Sequence, residues 1–297
     1  MRLEQLRFLC EVNDCGFNIS KAALSLNISQ PAISTQIRLL EEELGWEILL
    51  RRNGRVVGLT PFGTATLNTA RRITKEADNL RHAGEEFAHE TTGRICIATT
   101  HINARYVLLG VIDRFRRKYP DVQLIIRQGD PGGIREFVLS GEADIGITSA
   151  PTGGFQGLST SPCYTLHRAV IVPAGHPLLG RKRLTLKEIA AYPVITMDTS
   201  FAGGRAVLRA FTRKGIKPNV VMTATDAAVI KAYVALGMGV TVLPSVAFDP
   251  QSDRTLQAIE AAHLFEPTKT FICVHPDIHL RQYMKDLIGM LKETRTE

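Results

Sequence analysis

Nothing in this 297-residue chain is long and apolar enough to cross a bilayer, since no run of about 18 apolar residues occurs in it. The opening stretch Met1–Arg7 alternates charged with apolar residues and lacks the apolar centre of a secretory leader. Cysteine is sparse and odd in number. Cys10, Cys15, Cys96, Cys163 and Cys273 fall at irregular intervals, which argues against a disulfide frame and for reduced thiols in a cytoplasm. The usual marks of catalysis are missing as well. There is no His-Glu-x-x-His, no Gly-x-Ser-x-Gly and no Gly-x-x-x-x-Gly-Lys loop, and Gly203-Gly204 lacks the dinucleotide fingerprint. Cys273, His275 and His279 have ligand-like spacing, but Pro276 interrupts them and no fourth ligand is near in sequence. No catalytic residue, metal site or cofactor is assigned, and neither a repeat nor a low-complexity tail is visible.

What is present is enough apolar material for real cores: 44% of residues are hydrophobic and 22% charged, over a length of about two ordinary domains. The net charge is +7, but residues 1–60 carry seven bases and seven acids, and the excess lies beyond residue 91. If the N-terminal part binds nucleic acid, it does so with a locally arranged face rather than by bulk charge.

The first sixty residues read as a helical unit. Leu3, Leu6, Leu9 and Cys10 mark one helix, closed by Gly16, and Ser20–Leu26 marks a short second one. Asn27-Ile28 makes the turn. Ser29 caps a third helix with Pro31 in its first turn, and Ile33, Ile37, Leu40 and Leu44 recur along it at spacings of three and four. Its opposite face presents Gln30, Pro31, Ser34, Thr35 and Arg38. A helix-turn-helix presents such a face to the major groove, where Gln bonds adenine edges and Arg guanine edges. Two short β runs, 46–50 and 56–59, flank the basic tip Arg51-Arg52-Asn53-Gly54-Arg55 and read as a wing. With Lys21, the arginines Arg51, Arg52 and Arg55 are placed to neutralise phosphates, and the acidic run Glu41–Glu43 reads as a solvated helix face. The alternative is a three-helix packing module without a ligand.

Thr60 and Pro61 start a long helix over 61–89, about 43 Å at 1.5 Å per residue. Ala70, Ile73, Ala77, Leu80, Gly84 and Phe87 alternate along it at spacings of three and four, the seam of a dimerising coiled coil, unless the helix instead lies on its own C-terminal domain. From Gly93 onward, strands and helices alternate, which predicts parallel sheets in two α/β lobes joined by crossing segments near 149–166 and 244–269. Three helix starts face strand ends: Thr99-Thr100-His101-Ile102-Asn103, Thr199–Arg205 (with Phe201, Ala202 and Gly203), and Thr223-Ala224-Thr225-Asp226. Each is either an ordinary N-cap or, where two face each other across lobes, part of a small-anion pocket.

The segment Ile28-Ser-Gln-Pro-Ala-Ile-Ser-Thr-Gln-Ile-Arg-Leu-Leu-Glu-Glu-Glu-Leu-Gly45, followed by Gly58-Leu-Thr-Pro-Phe-Gly63, resembles the LysR-type transcriptional regulators, and the likeness covers the whole chain. It implies an α/β protein: an N-terminal winged helix-turn-helix (residues 1–60) plus a long linker helix (61–91), then a two-lobed, periplasmic-binding-protein-like α/β effector domain (92–297). Lobe I would span about 92–163 and 267–297, and lobe II about 164–266. It also implies promoter DNA as partner, a homodimer, and RNA polymerase as a further partner on the promoter.

Ala98-Thr-Thr-His101 with Ala104-Arg-Tyr106, then Thr223-Ala-Thr-Asp-Ala227 with Val229-Ile-Lys231 and Leu236-Gly-Met-Gly-Val240, look like the CysB branch. That likeness implies control of sulfur assimilation and cysteine synthesis, acetylserine as inducer, a sulfate-like anion in the interlobe cleft, and a homotetramer. Thr100 and Gln128 match residues of that cleft. Ser149 stands where the branch has threonine and Asn103 where it has glutamine, but Ile102 and Ala202 replace threonines. Two lost hydroxyls leave the effector open. The rival readings are a regulator with another effector and regulon, a cytoplasmic solute-binding protein with a helical N-terminus, and an enzyme on the two-lobed frame.

Overall fold

Apolar residues three and four apart fold as α1 (Leu3–Asp14), α2 (Ile19–Leu26) and α3 (Gln30–Leu44), burying Leu6, Leu9, Val12, Ala22, Ala23, Ile33, Ile37 and Leu40 in one core. The computed structural model describes residues 1–52, 54–86, 91–151 and 153–294. Helix α2 begins one residue earlier than its pattern predicts, because Asn18 caps it: the Asn18 side chain accepts a hydrogen bond from the Lys21 N–H at 3.0 Å. Asn27 takes a left-handed conformation, φ 55°, and turns the chain into α3. Ser29 holds the cap position of α3, but its side chain makes no capping bond.

The wing strands β1 (Leu49–Arg52) and β2 (Arg55–Leu59) lie nearer the tip than expected. They pair antiparallel from Leu49↔Leu59 to Arg52↔Arg55, and Gly54 (φ 75°) supplies the positive φ that the tight connection needs. Helix α4 (Pro61–Glu86) starts where Thr60 accepts from the Gly63 N–H at 2.9 Å. Gly63 itself packs against the backbone of Ile48, where any Cβ would stand 2.1 Å from the carbonyl oxygen. Leu67 and Ala70 join the core under α1, and ion pairs Arg71–Asp14 and Arg7–Asp78 hold α4 to it.

A second compact unit holds β3 (Gly93–Thr99), α5 (Leu108–Lys118), β4 (Val122–Gln128), α6 (Pro131–Leu139), β5 (Ile145–Ser149), β6 (Ser159–Leu166), β7 (Arg168–Pro173) and α7 (Leu186–Ala190). It continues through β8 (Val194–Met197), α8 (Ala202–Arg213), β9 (Val220–Ala224), α9 (Ala227–Ala235), β10 (Val240–Pro244), β11 (Leu256–Glu260), β12 (Thr268–Val274) and α10 (Gln282–Lys292). A π-helical turn at Asn103–Val107 leads into α5, in place of a helix running from 104.

Two five-stranded sheets result, in the orders β4-β3-β5-β12-β6 and β11-β7-β10-β8-β9. They are mixed rather than parallel, which corrects the expectation. Strands joined through a crossover helix pair in parallel, as β3 does with β4 and β5 and as β8 does with β9 and β10. Strands entering from the other lobe arrive without such a helix. Accordingly β12 pairs antiparallel with β5 and β6, and β7 with β10 and β11. β6 and β11 were expected as connecting segments. β6 carries Pro162, which a strand tolerates at a sheet edge, and β6 is an edge.

Candidate nucleic-acid interface and ligand cleft

The outer side of α3 exposes Gln30, Pro31, Thr35 and Arg38, with Ser34 half-buried, and Ser29 is exposed just before it. Their neighbours on the inner side, Ile33, Ile37 and Leu40, are fully buried, so the core fixes the helix while the outer face stays available. Gln30 Oε1 accepts from the Ser20 hydroxyl at 2.9 Å, which leaves its NH2 group to donate elsewhere. Arg38 pairs with Glu42 one turn on, an exposed pair weak enough to exchange for a base or phosphate. Lys21, Arg52 and Arg55 are exposed and form no ion pair among the described residues, and Asn53 lies outside them.

Arg51 has a different role from the one its position in the basic tip predicts. Its guanidinium pairs with Glu41, Nη2 to Oε2 at 2.9 Å and Nη1 to Oε1 at 3.2 Å, and Glu41 Oε1 also accepts from the Ile48 and Leu49 N–H groups at 2.9 Å each. Glu41 is therefore buried, not part of a solvated face. Burial by itself would raise its carboxyl; the Arg51 bond and the two backbone donors outweigh that and hold it below the usual carboxylate range. The pair fastens the wing to α3.

On α4, Ala70 is buried in the unit's own core, which takes it out of any seam, whereas Ile73 and Leu80 are exposed and Ala77 is half-buried. Gly84 falls within α4, and Phe87 lies outside the described residues.

The second unit has a cleft where strand ends from both sheets meet helix starts, the usual ligand position in open α/β folds. Thr100, Ile102, Asn103 and Ser149 line it from one sheet, together with Leu166, Thr268 and Thr270; Phe201, Ala202 and Gly203 line it from the other, with Arg168, Met197 and Pro244. Its empty volume is about 390 Å³, open mouth included. Four expected residues stand outside the lining. Thr99 is buried and donates to the Ile147 carbonyl at 2.8 Å. His101 places Nδ1 3.6 Å from Asp226 Oδ2. Gln128 and Thr225 are exposed at the ends of β4 and β9.

Sequence reasoning missed Arg168, although one charged residue heading the apolar run Ala169–Val172 is a signal. Arg168 is 3% exposed. It donates through Nη2 to the Thr268 hydroxyl, its Nε has no partner, and no carboxylate pairs with it among the described residues. Burial pulls its pKa down to about 10. Asn103 donates to the Ile147 carbonyl at 3.2 Å, while its Oδ1 has no partner. No helix of the described residues is long and apolar enough to cross a membrane.

Comparison with known proteins matches residues 3–64 to the family described as bacterial regulatory helix-turn-helix protein, lysR family, and residues 88–296 to the LysR substrate binding domain. The HTH-type transcriptional regulator SsuR of Burkholderia cenocepacia is 44% identical over 290 residues, covering 98% of this chain and 94% of that protein. The regulator CysB of Haemophilus influenzae is 43% identical over 288 residues, covering 97% and 89%. The crystal structure of the cofactor-binding domain of the Cbl transcriptional regulator superposes with a TM-score of 0.64 at 35% identity, covering 68% of this chain and 88% of that one.

Proposed function

The chain belongs to the LysR family of transcriptional regulators, and from that membership we propose that it reads operator DNA with α3 and its wing and senses a small anionic metabolite in the interlobe cleft. The helix-turn-helix match sets aside a stand-alone solute-binding protein. The observation that carries the DNA reading is the exposed face of α3 beside the unpaired arginines Arg52 and Arg55. Gln30, Ser34, Thr35 and Arg38 address base edges; Lys21, Arg52 and Arg55 address phosphates. Ile73, Ala77 and Leu80 of α4 form the dimer contact, continued by Gly84 and Phe87, and two dimers make the tetramer that spans a long operator. Acting on chromosomal DNA places the protein in the cytoplasm.

The regulated genes on this reading are those of sulfur assimilation and cysteine synthesis, as the likeness to the CysB branch implies. Ile102 and Ala202 in the lining favour an effector other than acetylserine, because neither offers the hydroxyl that the branch uses. Footprinting the purified protein on its own upstream DNA and on a sulfur-assimilation promoter, with and without acetylserine, tests both parts. A long phased footprint that is unchanged by acetylserine keeps the regulator and redirects the search for its effector. No protection on either DNA removes the proposal.

Two substitutions separate base reading from phosphate contact. Arg38→Ala is expected to cost about 1–3 kcal/mol on the specific operator and little on random DNA. Arg52→Ala is expected to weaken both alike and to reduce the slope of log K against log salt by about 1. Equal losses on both DNAs for Arg38→Ala, measured by fluorescence anisotropy across a salt series, would refute the assigned groove face.

A further inference from the structure

The cleft contains a buried cation with no resident anion to meet it. Arg168 heads β7, the first strand after the chain enters the second sheet, and it donates to Thr268 at the start of β12, the strand on which the chain returns. Its guanidinium lies flat on Gly203 at the start of α8: a Cβ there would stand 2.8 Å from Nη2 and 3.1 Å from Nη1. A full positive charge is thus packed against the positive end of a twelve-residue helix. Two like-signed features out of water repel unless an anion sits between them.

We infer that the missing partner is the effector itself, a small organic oxyanion whose sulfonate or carboxylate head pairs with Arg168 and which carries a hydroxyl or amine donor for Asn103 Oδ1. This rests on reading the cleft as an effector site. Charge matching selects a single negative charge, because one guanidinium and one helix start meet it. The second charge of inorganic sulfate would lie against Ile102, Phe201 and Ala202, which offer no side-chain donor. Fully ionised sulfate also has no proton to give Asn103 Oδ1, which stays unpaired in the protein alone. The planar fork suits an oxyanion head better than a point charge does, and only glycine at 203 leaves room for it.

The test uses the full chain, dialysed free of sulfate, with calorimetric titration and thermal melts in inorganic sulfate, ethanesulfonate and 2-hydroxyethanesulfonate. The wild-type chain is expected to bind 2-hydroxyethanesulfonate about tenfold more tightly than sulfate, with ethanesulfonate between them. Arg168→Met is expected to lose about 30-fold in affinity for the organic anions, and Arg168→Lys less, since it keeps the charge but not the fork. Without ligand, Arg168→Met is expected to melt no lower than wild type, because it removes an unpaired buried charge. Undiminished binding by Arg168→Met overturns the assignment of Arg168 while the cleft reading stands, and so does a ligand-free melt well below wild type. Sulfate binding as tightly as 2-hydroxyethanesulfonate overturns the ligand class. If none of the three binds wild type, the effector reading of the cleft falls, and this inference with it.

Discussion

Glu41→Ala is expected to destabilise the N-terminal unit by about 3–5 kcal/mol, the range for removing one partner of a buried ion pair. The loss exceeds that of an ordinary surface bridge because one carboxylate serves three donors at once: the Arg51 guanidinium and the Ile48 and Leu49 N–H groups. Alanine leaves both N–H groups buried and unpaired, and frees Arg51 from the wing base. The chain has a single tryptophan, Trp46, in this unit and 6.1 Å from the Phe62 ring, so urea unfolding followed by tryptophan emission reports this unit alone. Glu41→Gln should lose less, since it keeps an acceptor. The same group sets a pH dependence. Its folded-state pKa is depressed, so its contribution is complete at neutral pH and is lost as pH falls below the ordinary carboxylate range towards its folded value. A Glu41→Ala chain whose tryptophan transition matches wild type in both urea and acid would show that the network is idle.

The second large effect is expected at Lys231. It is 7% exposed on α9, pairs with Asp253, and stands 5.2 Å from the Tyr106 ring, which belongs to the π-helical turn on the other lobe. Asp253 also accepts from the Asp249 N–H at 3.0 Å, so the carboxylate stays ordered when its cation is removed and keeps its charge out of water. Lys231→Met is therefore expected to cost about 3–5 kcal/mol, with the cation over Tyr106 lost in addition. The double variant Lys231→Met with Asp253→Asn should recover most of that, because no lone charge remains. Thermal melts of the two single variants and the double one decide the matter: simple addition of the single losses means that the pair is not coupled.

How much of this was legible in the sequence depended on which physical signal each element carries. α3 was readable because Ile33, Ile37 and Leu40 repeat with the helical period, and the faces that period assigns are the buried and exposed faces observed. Glu41 was misread by the same logic. It sits one position from that stripe, and what buries it is the folding back of Ile48 and Leu49, a contact seven and eight residues away with no local pattern. β6 was hidden by its composition, since Ser159–Ser161 and Pro162 read as loop, and only its place at a sheet edge makes them acceptable. The cleft was partly foreseen. Thr100, Ile102, Asn103, Ser149 and Phe201–Gly203 were named from helix starts, whereas Arg168, Thr268 and Thr270 lie on strands and reach the cleft through sheet order. Ala70 kept coiled-coil spacing yet packs on α1, because one helical stripe serves an internal core as well as a partner helix.

The position of β12 bears on how the molecule is made. This strand lies between β5 and β6, although well over a hundred residues of sequence separate it from β5. A chain leaving the ribosome can close its helix-turn-helix early, but β6 has no neighbour in its sheet until residues 268–274 emerge. During that interval the edges of β5 and β6 are bare, a template for pairing with another nascent chain. The last strand therefore acts as a late-arriving keystone, and slowed translation near the end of the message is the condition under which this protein is most exposed to aggregation.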